Sequence, residues 1–335
     1  MKPTWDDLGA RARGLGTHLC SRGELDALAQ CPDAAALGEA LRDRGYPLAE
    51  GDASPAALEL AVRHAAAERL RILARWCGPR AAVLGVLFED EDRRSLRSLL
   101  RGAVEGAPAG ARLAGLVPTP SLPERALGEL AAQRSLGAIA ALLTAWGNPY
   151  GSALFAAASA AQPDLFRLEL ALNLNFARRA SRAARRVRVL AAWVREVLDL
   201  ENVCTAFVLV KGGTDLVPKD TFVPGGARIS IREFEVAAAT GDVRAAANGL
   251  AAAFAGTPFA DALRSADDPS TLEDALLRAQ IEGLRRAARL RPLGPVPVLL
   301  YWLRLRAEGV DLRRIIWGVA LAVPPASITR DFATT

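Results

Sequence analysis

Residues 199–213, with the sequence DLENVCTAFVLVKGG, combine side-chain types that enzymes use in acid–base and phosphate chemistry. Carboxylates such as Asp199 act as general acids or bases, and a lysine beside glycines is typical of loops that bind phosphate. In the phosphate-binding loop G-x-x-x-x-G-K-[ST], however, the lysine follows the last glycine. Because Lys211 precedes Gly212 and Gly213, we predict instead that a glycine ends a helix here, with Lys211 near the last helical carbonyl groups.

The same pattern occurs twice more, in DRRSLRSLLRG from residue 92 and in EGVDLRRIIWG from residue 308. The leading acids are Asp92, Asp199 and Glu308, which lie 107 and then 109 residues apart. Three positions later stand Ser95, Asn202 and Asp311, and apolar residues follow at the fourth, seventh and eighth positions. This spacing predicts a helix whose first turn is capped by the two polar side chains and whose apolar stripe is buried. We interpret these six polar residues as a structural motif, because a catalytic residue would hardly need three copies.

Helical periodicity dominates the rest of the chain and indicates an all-α fold. Long stretches with apolar residues at i, i+3, i+4 and i+7 cover residues 58–76, 168–198 and 272–290. Each opens with a Leu-Glu pair, so Glu59, Glu169 and Glu273 occupy corresponding positions. We therefore predict three divergent copies of one helical bundle about a pseudo-threefold axis, in one compact body. Their boundaries are residues 1–121, with an added N-terminal helix, then residues 122–231 and 232–335.

Composition narrows the classes of function. The 335 residues are 51% hydrophobic but only 6% aromatic, as in densely packed helices. No apolar run approaches the roughly 18 to 20 residues that span a bilayer, and the first residues lack the apolar core of a secretory signal. We expect a protein of the cytoplasm or of the cytoplasmic face of a membrane. The four scattered cysteines and two histidines, His18 and His64, have no metal-binding or catalytic spacing, so we expect no metal, cofactor or catalytic centre.

The densest basic cluster is ARRASRAARRVR, from residue 177, where Arg178, Arg182 and Arg185 share one helical face. With a formal net charge of +5, the chain is suited to acidic partners but not specifically to nucleic acid. Three interpretations of the cluster remain open: a solvated face, a docking face for an acidic protein or anionic lipid, and a nucleic-acid site. No aromatic residue is interleaved to stack on bases, which disfavours the last.

Nearly from end to end, the sequence with these motifs resembles the C subunit of the rotary V/A-type ATPases, the counterpart of the eukaryotic d subunit. The opening WDDLGARARGLGTHLC carries the Arg11 and Arg13 pair, and DLENVCTAFVLVKGG is followed by a Pro-Gly-Gly loop at residues 224–226. The C-terminal segment PLGPVPVLLYWLRLRAEGVDLRRIIWG contributes the helix-breaking Pro-Leu-Gly and Tyr301.

The resemblance implies a three-lobed helical funnel that catalyses nothing itself. It implies a rotor adapter that sits on the membrane ring of proteolipid subunits, receives the central stalk, and transmits torque between ion transport and ATP synthesis or hydrolysis. We expect peripheral contact with the cytoplasmic face of the membrane, and neither nucleic acid nor a small-molecule substrate. Candidate partner contacts are Pro224, Gly225, Gly226, Arg178, Arg182 and Arg185; for the loop, a plain turn is the alternative. The other function considered is a free-standing helical scaffold that binds nucleic acid through its arginine face.

Overall fold

The computed structural model of the chain describes residues 5–49, 51–159, 164–212, 216–265 and 269–334. The structure is 73% helical, and the described residues contain no β-strand. The predicted all-α class is therefore confirmed.

Eighteen α-helices follow one another in the described ranges, with a short 3-10 turn at Gly78–Arg80. The first nine are α1 (Trp5–Gly16), α2 (Arg22–Leu28), α3 (Ala34–Asp43), α4 (Pro55–Cys77), α5 (Ala81–Val104), α6 (Ala109–Leu113), α7 (Glu124–Ala131), α8 (Leu136–Ala145) and α9 (Gly151–Ala158). The remaining nine are α10 (Leu165–Ala184), α11 (Arg188–Val210), α12 (Pro218–Thr221), α13 (Ile231–Ala238), α14 (Val243–Ala253), α15 (Pro258–Arg264), α16 (Pro269–Leu290), α17 (Val296–Ala320) and α18 (Pro325–Thr329).

Contacts between these helices divide the chain into two compact units. Unit 1 comprises Met1–Pro79, Ala114–Pro120 and Gln280–Thr335, and unit 2 comprises Arg80–Leu113 and Ser121–Ala279. The three copies that the sequence suggests, with boundaries after residues 121 and 231, remain a prediction about internal repetition.

Unit 1 is built around α17, which packs against α1, α2, α3, α4 and α18. The apolar stripe of α17 supplies Leu312, Ile315 and Ile316 to a core that also contains Leu41 and Leu58. All five side chains are fully buried, and burial of a leucine or isoleucine contributes about 1.5–3 kcal/mol. The predicted helix over residues 58–76 is confirmed as α4, which starts at Pro55 after Ser54, whose Oγ accepts a hydrogen bond from Ala57 N at 3.3 Å.

Unit 2 is organised by α11, which packs against α10, α13 and α14, while α10 also contacts α5 and α9. Its core is rich in phenylalanine: Phe207 of α11 lies in one cluster with Phe234, Phe254 and Phe259. The rings of Phe254 and Phe259 are tilted by 56° with centroids 5.6 Å apart, a favourable aromatic geometry. The predicted helix over residues 272–290 is confirmed as α16.

The single helix predicted over residues 168–198 is wrong, because the structure has two helices there. α10 ends at Ala184 and α11 begins at Arg188, and Val187 between them is extended with φ −124° and ψ 101°. Asn173 Nδ2 donates to Glu201 Oε2 at 3.0 Å, and both residues lie fourteen positions from Val187, as in an antiparallel hairpin of helices. Folding back buries Phe176 and Trp193, whereas one long straight helix could not pack its two apolar halves against each other.

The glycine stop predicted for residues 199–213 is confirmed as far as the described residues reach. α11 ends at Val210, Gly212 has a left-handed φ of +76°, and its N–H donates to the Leu209 carbonyl at 3.0 Å. Gly213, the second glycine of the pattern, lies outside the described residues.

Candidate functional site: buried acid motifs and an exposed arginine face

The leading acids of the repeated motif do not start helices, so the predicted capping role is wrong. Asp92, Asp199 and Glu308 each lie about a dozen residues inside a long helix, in α5, α11 and α17 respectively. Backbone N–H groups at such positions already donate to carbonyls of the preceding turn, so they need no cap. The carboxylates are therefore available for partners outside their own helix.

Asp199 binds the backbone of the loop that follows α12. It is completely buried, and its carboxylate accepts hydrogen bonds from the N–H groups of Ala227 at 2.9 Å, Arg228 at 3.1 Å and Ile229 at 3.1 Å. Hydrogen bonds to a charged acceptor are the strong ones in proteins, and three of them compensate the burial of one carboxylate.

Asn202 binds the same loop one helical turn further along α11. Its Oδ1 accepts from Val223 N at 2.9 Å, and its Nδ2 donates to Val223 O at 2.9 Å. The asparagine thus satisfies both backbone groups of a fully buried valine. Together, Asp199 and Asn202 hold the loop at both ends of its Pro-Gly-Gly sequence.

The two glycines of that loop are required by its close approach to α11. A β-carbon on residue 226 would lie 2.8 Å from Asp199 Cγ, and β-carbons essentially never come within 3.0 Å of a non-bonded atom. Gly225 has φ +112°, which favours glycine, and a β-carbon there would lie 2.9 Å from Leu198 Cδ1. Pro224 and Gly225 remain exposed at the surface of unit 2.

The corresponding acids of the other two motifs also bind segments that return to the middle of the helix. Asp92 accepts a hydrogen bond from Ser121 Oγ, and Ser95 is buried close by in α5. In unit 1, Glu308 accepts from Cys20 N at 2.7 Å and forms an ion pair with Arg69. All three leading acids are therefore anchors for a distant segment of chain.

In the last motif, Asp311 binds the backbone of a distant segment, as Asn202 does in the middle motif. It is fully buried and accepts from the N–H groups of Ala333 and Thr334, each at 2.7 Å. Burial raises the pKa of Asp311 above its ordinary value, although the hydrogen bonds from Ala333 and Thr334 oppose that shift. These bonds fix the C-terminal segment against α17.

A buried ion network joins α5, α10 and α11, and sequence reasoning missed it. Arg93 contacts Asp90 at 2.8 Å and Glu201 at 2.7 Å, while Arg97 contacts Glu201 at 2.7 Å and the Asn173 Oδ1 at 2.9 Å. Arg93 is completely buried and also lies over the Phe176 ring, 4.8 Å from its centroid. The local sequence signals are the i, i+3 spacing of Asp90 and Arg93 and the i, i+4 spacing of the two arginines, because the shared partner Glu201 stands about 100 residues away.

The charge state of Glu201 follows from this network. Burial raises its pKa, but the positive charges of Arg93 and then Arg97 lower it by more, to about 2. Glu201 is therefore held in its charged form, whereas a general acid has to carry a proton near neutral pH. The arrangement is suited to rigid packing of three helices.

The arginine face of α10, formed by Arg178, Arg182 and Arg185, lies at the surface of unit 2. Arg178, Arg182 and Arg185 are exposed and have no hydrogen bond or ion pair within the described parts of the chain, whereas the neighbouring Arg179 pairs with Glu89 at 2.7 Å. A β-carbon on Gly225 would lie 3.8 Å from Ser181 Oγ, and Ser181 shares its helical face with Arg178 and Arg185. The structure thus places the Pro-Gly-Gly loop beside the arginine face.

In the described ranges, no three His, Cys, Asp or Glu side chains group closely enough to hold a metal ion. None of the helices that the structure describes is both long and apolar enough to cross a lipid bilayer.

In a comparison with protein families, the sequence model of the ATP synthase (C/AC39) subunit matches residues 8–330, which is almost the whole chain. The chain belongs to the ATP synthase (C/AC39) subunit family. The predicted resemblance to the C subunit of V/A-type ATPases is thereby confirmed, and the protein is one component of a rotary membrane ATPase that assembles with other subunits. A comparison with curated proteins found no match.

Within this member of the C/AC39 family, the leading acid of each motif binds a segment that is distant along the chain. The three helices that carry them, α5, α11 and α17, are among the longest in the chain and each has its acid fully or almost fully buried. The matched range of the family includes all three motifs and the Pro-Gly-Gly loop.

Proposed function

We propose that this chain is the non-catalytic rotor adapter of a V/A-type ATPase. In this role it links the proteolipid ring in the membrane to the central stalk, lies peripherally on the cytoplasmic face, and transmits torque for coupled ion transport and ATP synthesis or hydrolysis. The family match over residues 8–330 is the observation that carries the proposal.

The internal anchoring of the chain supports this mechanical role. Each ion that crosses the membrane supplies about 2.3 kcal/mol per charge per 100 mV, and an adapter must pass this work on without yielding. In each motif a buried side chain inside a long helix holds a segment distant in sequence, as Asp199 does with three N–H groups. Such bonds oppose sliding of the loop along the helix.

The three-copy organisation, with boundaries after residues 121 and 231, is part of the proposal. It is supported by the corresponding glutamates near the start of the long helices. Glu169 pairs with Arg101, nine residues after Asp92, and Glu59 accepts a hydrogen bond from Trp317, nine residues after Glu308. A shared ancestry of these helix pairs explains why the same two positions meet in both units.

The partner contact that we propose combines the Pro-Gly-Gly loop with the arginine face. Pro224 and Gly225 are exposed, and the loop is held at Val223 by Asn202 and at Ala227 by Asp199, so it presents rigid backbone to a partner. Arg178, Arg182 and Arg185 provide unpaired cations beside it, which suits an acidic rim on the partner surface.

Capture from detergent-solubilised membranes of the source organism tests this function. The tagged chain should retain proteolipid and central-stalk subunits, identified by mass spectrometry. The purified chain alone should hydrolyse no ATP. Turnover that persists after removal of contaminating head subunits, or capture without either class of subunit, would overturn the adapter function.

A further inference from the structure

Unit 2 contains an open cavity of about 570 Å³ between α5, α10, α11 and α16. The six polar residues of the acid motifs are not among those that line it. Its lining includes Arg97, Arg101, Glu169, Glu201, Val208 and Glu273. Half-buried apolar side chains such as Leu165 and Phe166 complete the wall, so the cavity offers both charge and apolar surface.

Of the three corresponding glutamates, Glu169 and Glu59 each bind a side chain of the helix that packs against their own helix. Arg101 donates to Glu169 through two nitrogens, at 2.6 and 2.9 Å, in the fork geometry that arginine prefers with carboxylates. Glu59 accepts from Trp317 Nε1 at 2.8 Å and pairs with Arg313 at 3.1 Å. In each pair the donor on the acid-motif helix stands nine positions after the leading acid.

The third glutamate lacks such a partner. Nine positions after Asp199 stands Val208, an apolar residue that is 39% exposed and cannot donate a hydrogen bond. Glu273 has no hydrogen bond or ion pair within the portion of the chain that the structure describes. The carboxylate of Glu273 therefore shares the cavity wall with the exposed apolar side chain of Val208.

The two arginines that line the cavity with Glu273 already bind other carboxylates. Arg97 donates to Glu201 and Arg101 to Glu169, and Glu273 acts on both only through its charge, which helps to raise their pKa. Three of the four carboxylates in the cavity wall have a paired cation, since Glu201 binds Arg93 and Arg97, Glu169 binds Arg101, and Asp164 lies 3.7 Å from Arg167. Glu273 is the carboxylate of the wall whose charge is left unpaired within the described residues.

We propose that this cavity receives an arginine or lysine side chain from a partner protein, and that the charged group of this side chain binds Glu273 while its apolar stem packs on Val208. The side chain from the partner would bind Glu273 in the way that Arg101 binds Glu169. A protein side chain suits the site because long basic side chains combine an apolar stem with a charged end. The inference rests on the proposed function, which provides partner subunits.

The test uses the full chain and membranes of the source organism from which this subunit has been stripped. Glu273→Gln should weaken rebinding by roughly tenfold, as expected for loss of a charge-assisted hydrogen bond. Val208→Arg supplies the missing donor within the chain, so it should block rebinding at least as strongly while the melting temperature stays equal or rises. Glu282→Gln is the matched control, an exposed glutamate further along α16 whose change should leave rebinding unaltered.

A photo-crosslinker at position 208 identifies the partner. The crosslinked peptide should come from another subunit and contain an arginine or lysine within a helical turn of the linked residue. Normal rebinding of both Glu273→Gln and Val208→Arg would overturn the cavity proposal and leave the adapter function standing. Failure of the unaltered chain to rebind would instead overturn the adapter function, and the cavity proposal with it.

Discussion

Gly226 and Asp199 determine each other's identity. A β-carbon on residue 226 would lie 2.8 Å from Asp199 Cγ, and the next peptide N–H, of Ala227, donates to Asp199 Oδ2 at 2.9 Å. In this loop the carboxylate accepts from three successive N–H groups, and the backbone just before them passes close to its Cγ. The conformation of the Pro-Gly-Gly loop and the position of Asp199 in the middle of α11 thus depend on each other.

Gly226→Ala should therefore destabilise unit 2 by about 1–3 kcal/mol, the usual cost of forcing an extra carbon into a packed site. The added β-carbon has to push either the loop or Asp199 out of place. Chemical denaturation followed by circular dichroism measures the change. Gly128→Ala is the control, because a β-carbon at that position of α7 meets nothing within 4 Å.

Combining Gly226→Ala with Asp199→Ala sharpens the test. Because the collision disappears with the carboxylate, the double variant should lose less stability than the sum of the two single changes. Strictly additive losses would show that the glycine and the acid do not act together.

Asp199→Asn keeps the shape of the side chain but removes its charge. The amide has one acceptor oxygen in place of two, and its NH₂ group faces N–H donors of the loop. We expect a loss of about 1–3 kcal/mol, because at least one buried N–H is left without an acceptor. Asp261→Asn, at an exposed site on α15, is the control in the same unfolding experiment. Equal stability of the two variants would contradict the anchoring role of Asp199.

The buried network predicts a specific pH dependence. The pKa of Glu201 is about 2 in the folded chain, against an ordinary value of 4.5, so its contribution to stability is fully present above about pH 4.5 and is lost as the pH falls towards 2. That contribution is of the order of 3 kcal/mol. Glu201→Gln should destabilise the protein strongly at neutral pH, because Arg93 and Arg97 lose their shared anion.

Unfolding free energies of the unaltered chain and of Glu201→Gln, measured at several pH values from neutral to acidic, check this prediction. The difference between them should shrink as the pH falls below about 4.5. Glu39→Gln, at an exposed position of α3, gives the background. A difference that stays constant into the acidic range would mean that Glu201 does not carry the charge that binds the two arginines.

Local sequence patterns predicted what depends on local physics. Apolar periodicity located α4 and α16, and Gly212 marked the end of α11, because helix formation and glycine stops depend on residues within a turn or two. The break at Val187 was missed because residues 184–188 contain neither glycine nor proline and the turn is enforced by packing of α10 on α11.

The partners of the buried acids could not be predicted for a related reason. An acid followed by a polar residue three positions later has the same local pattern in a first turn as in the middle of a helix. Asp199 reaches Ile229, thirty residues away, and Arg97 reaches Glu201, so only the fold brings these groups together.

The arginine face gives a prediction that separates binding from folding. Changing Arg178, Arg182 and Arg185 together to glutamine should alter the free energy of unfolding by no more than about 0.5 kcal/mol, since all three are exposed and unpaired in the described structure. Rebinding to stripped membranes should weaken, and its dependence on salt should become shallower, because fewer charges are left to be screened.

The control for this face changes Arg125, Arg264 and Arg286 together to glutamine. These arginines are also exposed, each pairs with an acid of its own helix, and the change removes the same total charge. If both triple variants rebind equally well, the arginine face is a solvated surface and not a partner contact. If the Arg178, Arg182 and Arg185 variant instead loses a salt-sensitive mobility shift of DNA or RNA that the unaltered chain and the control both give, the face binds nucleic acid and the adapter contact is wrong.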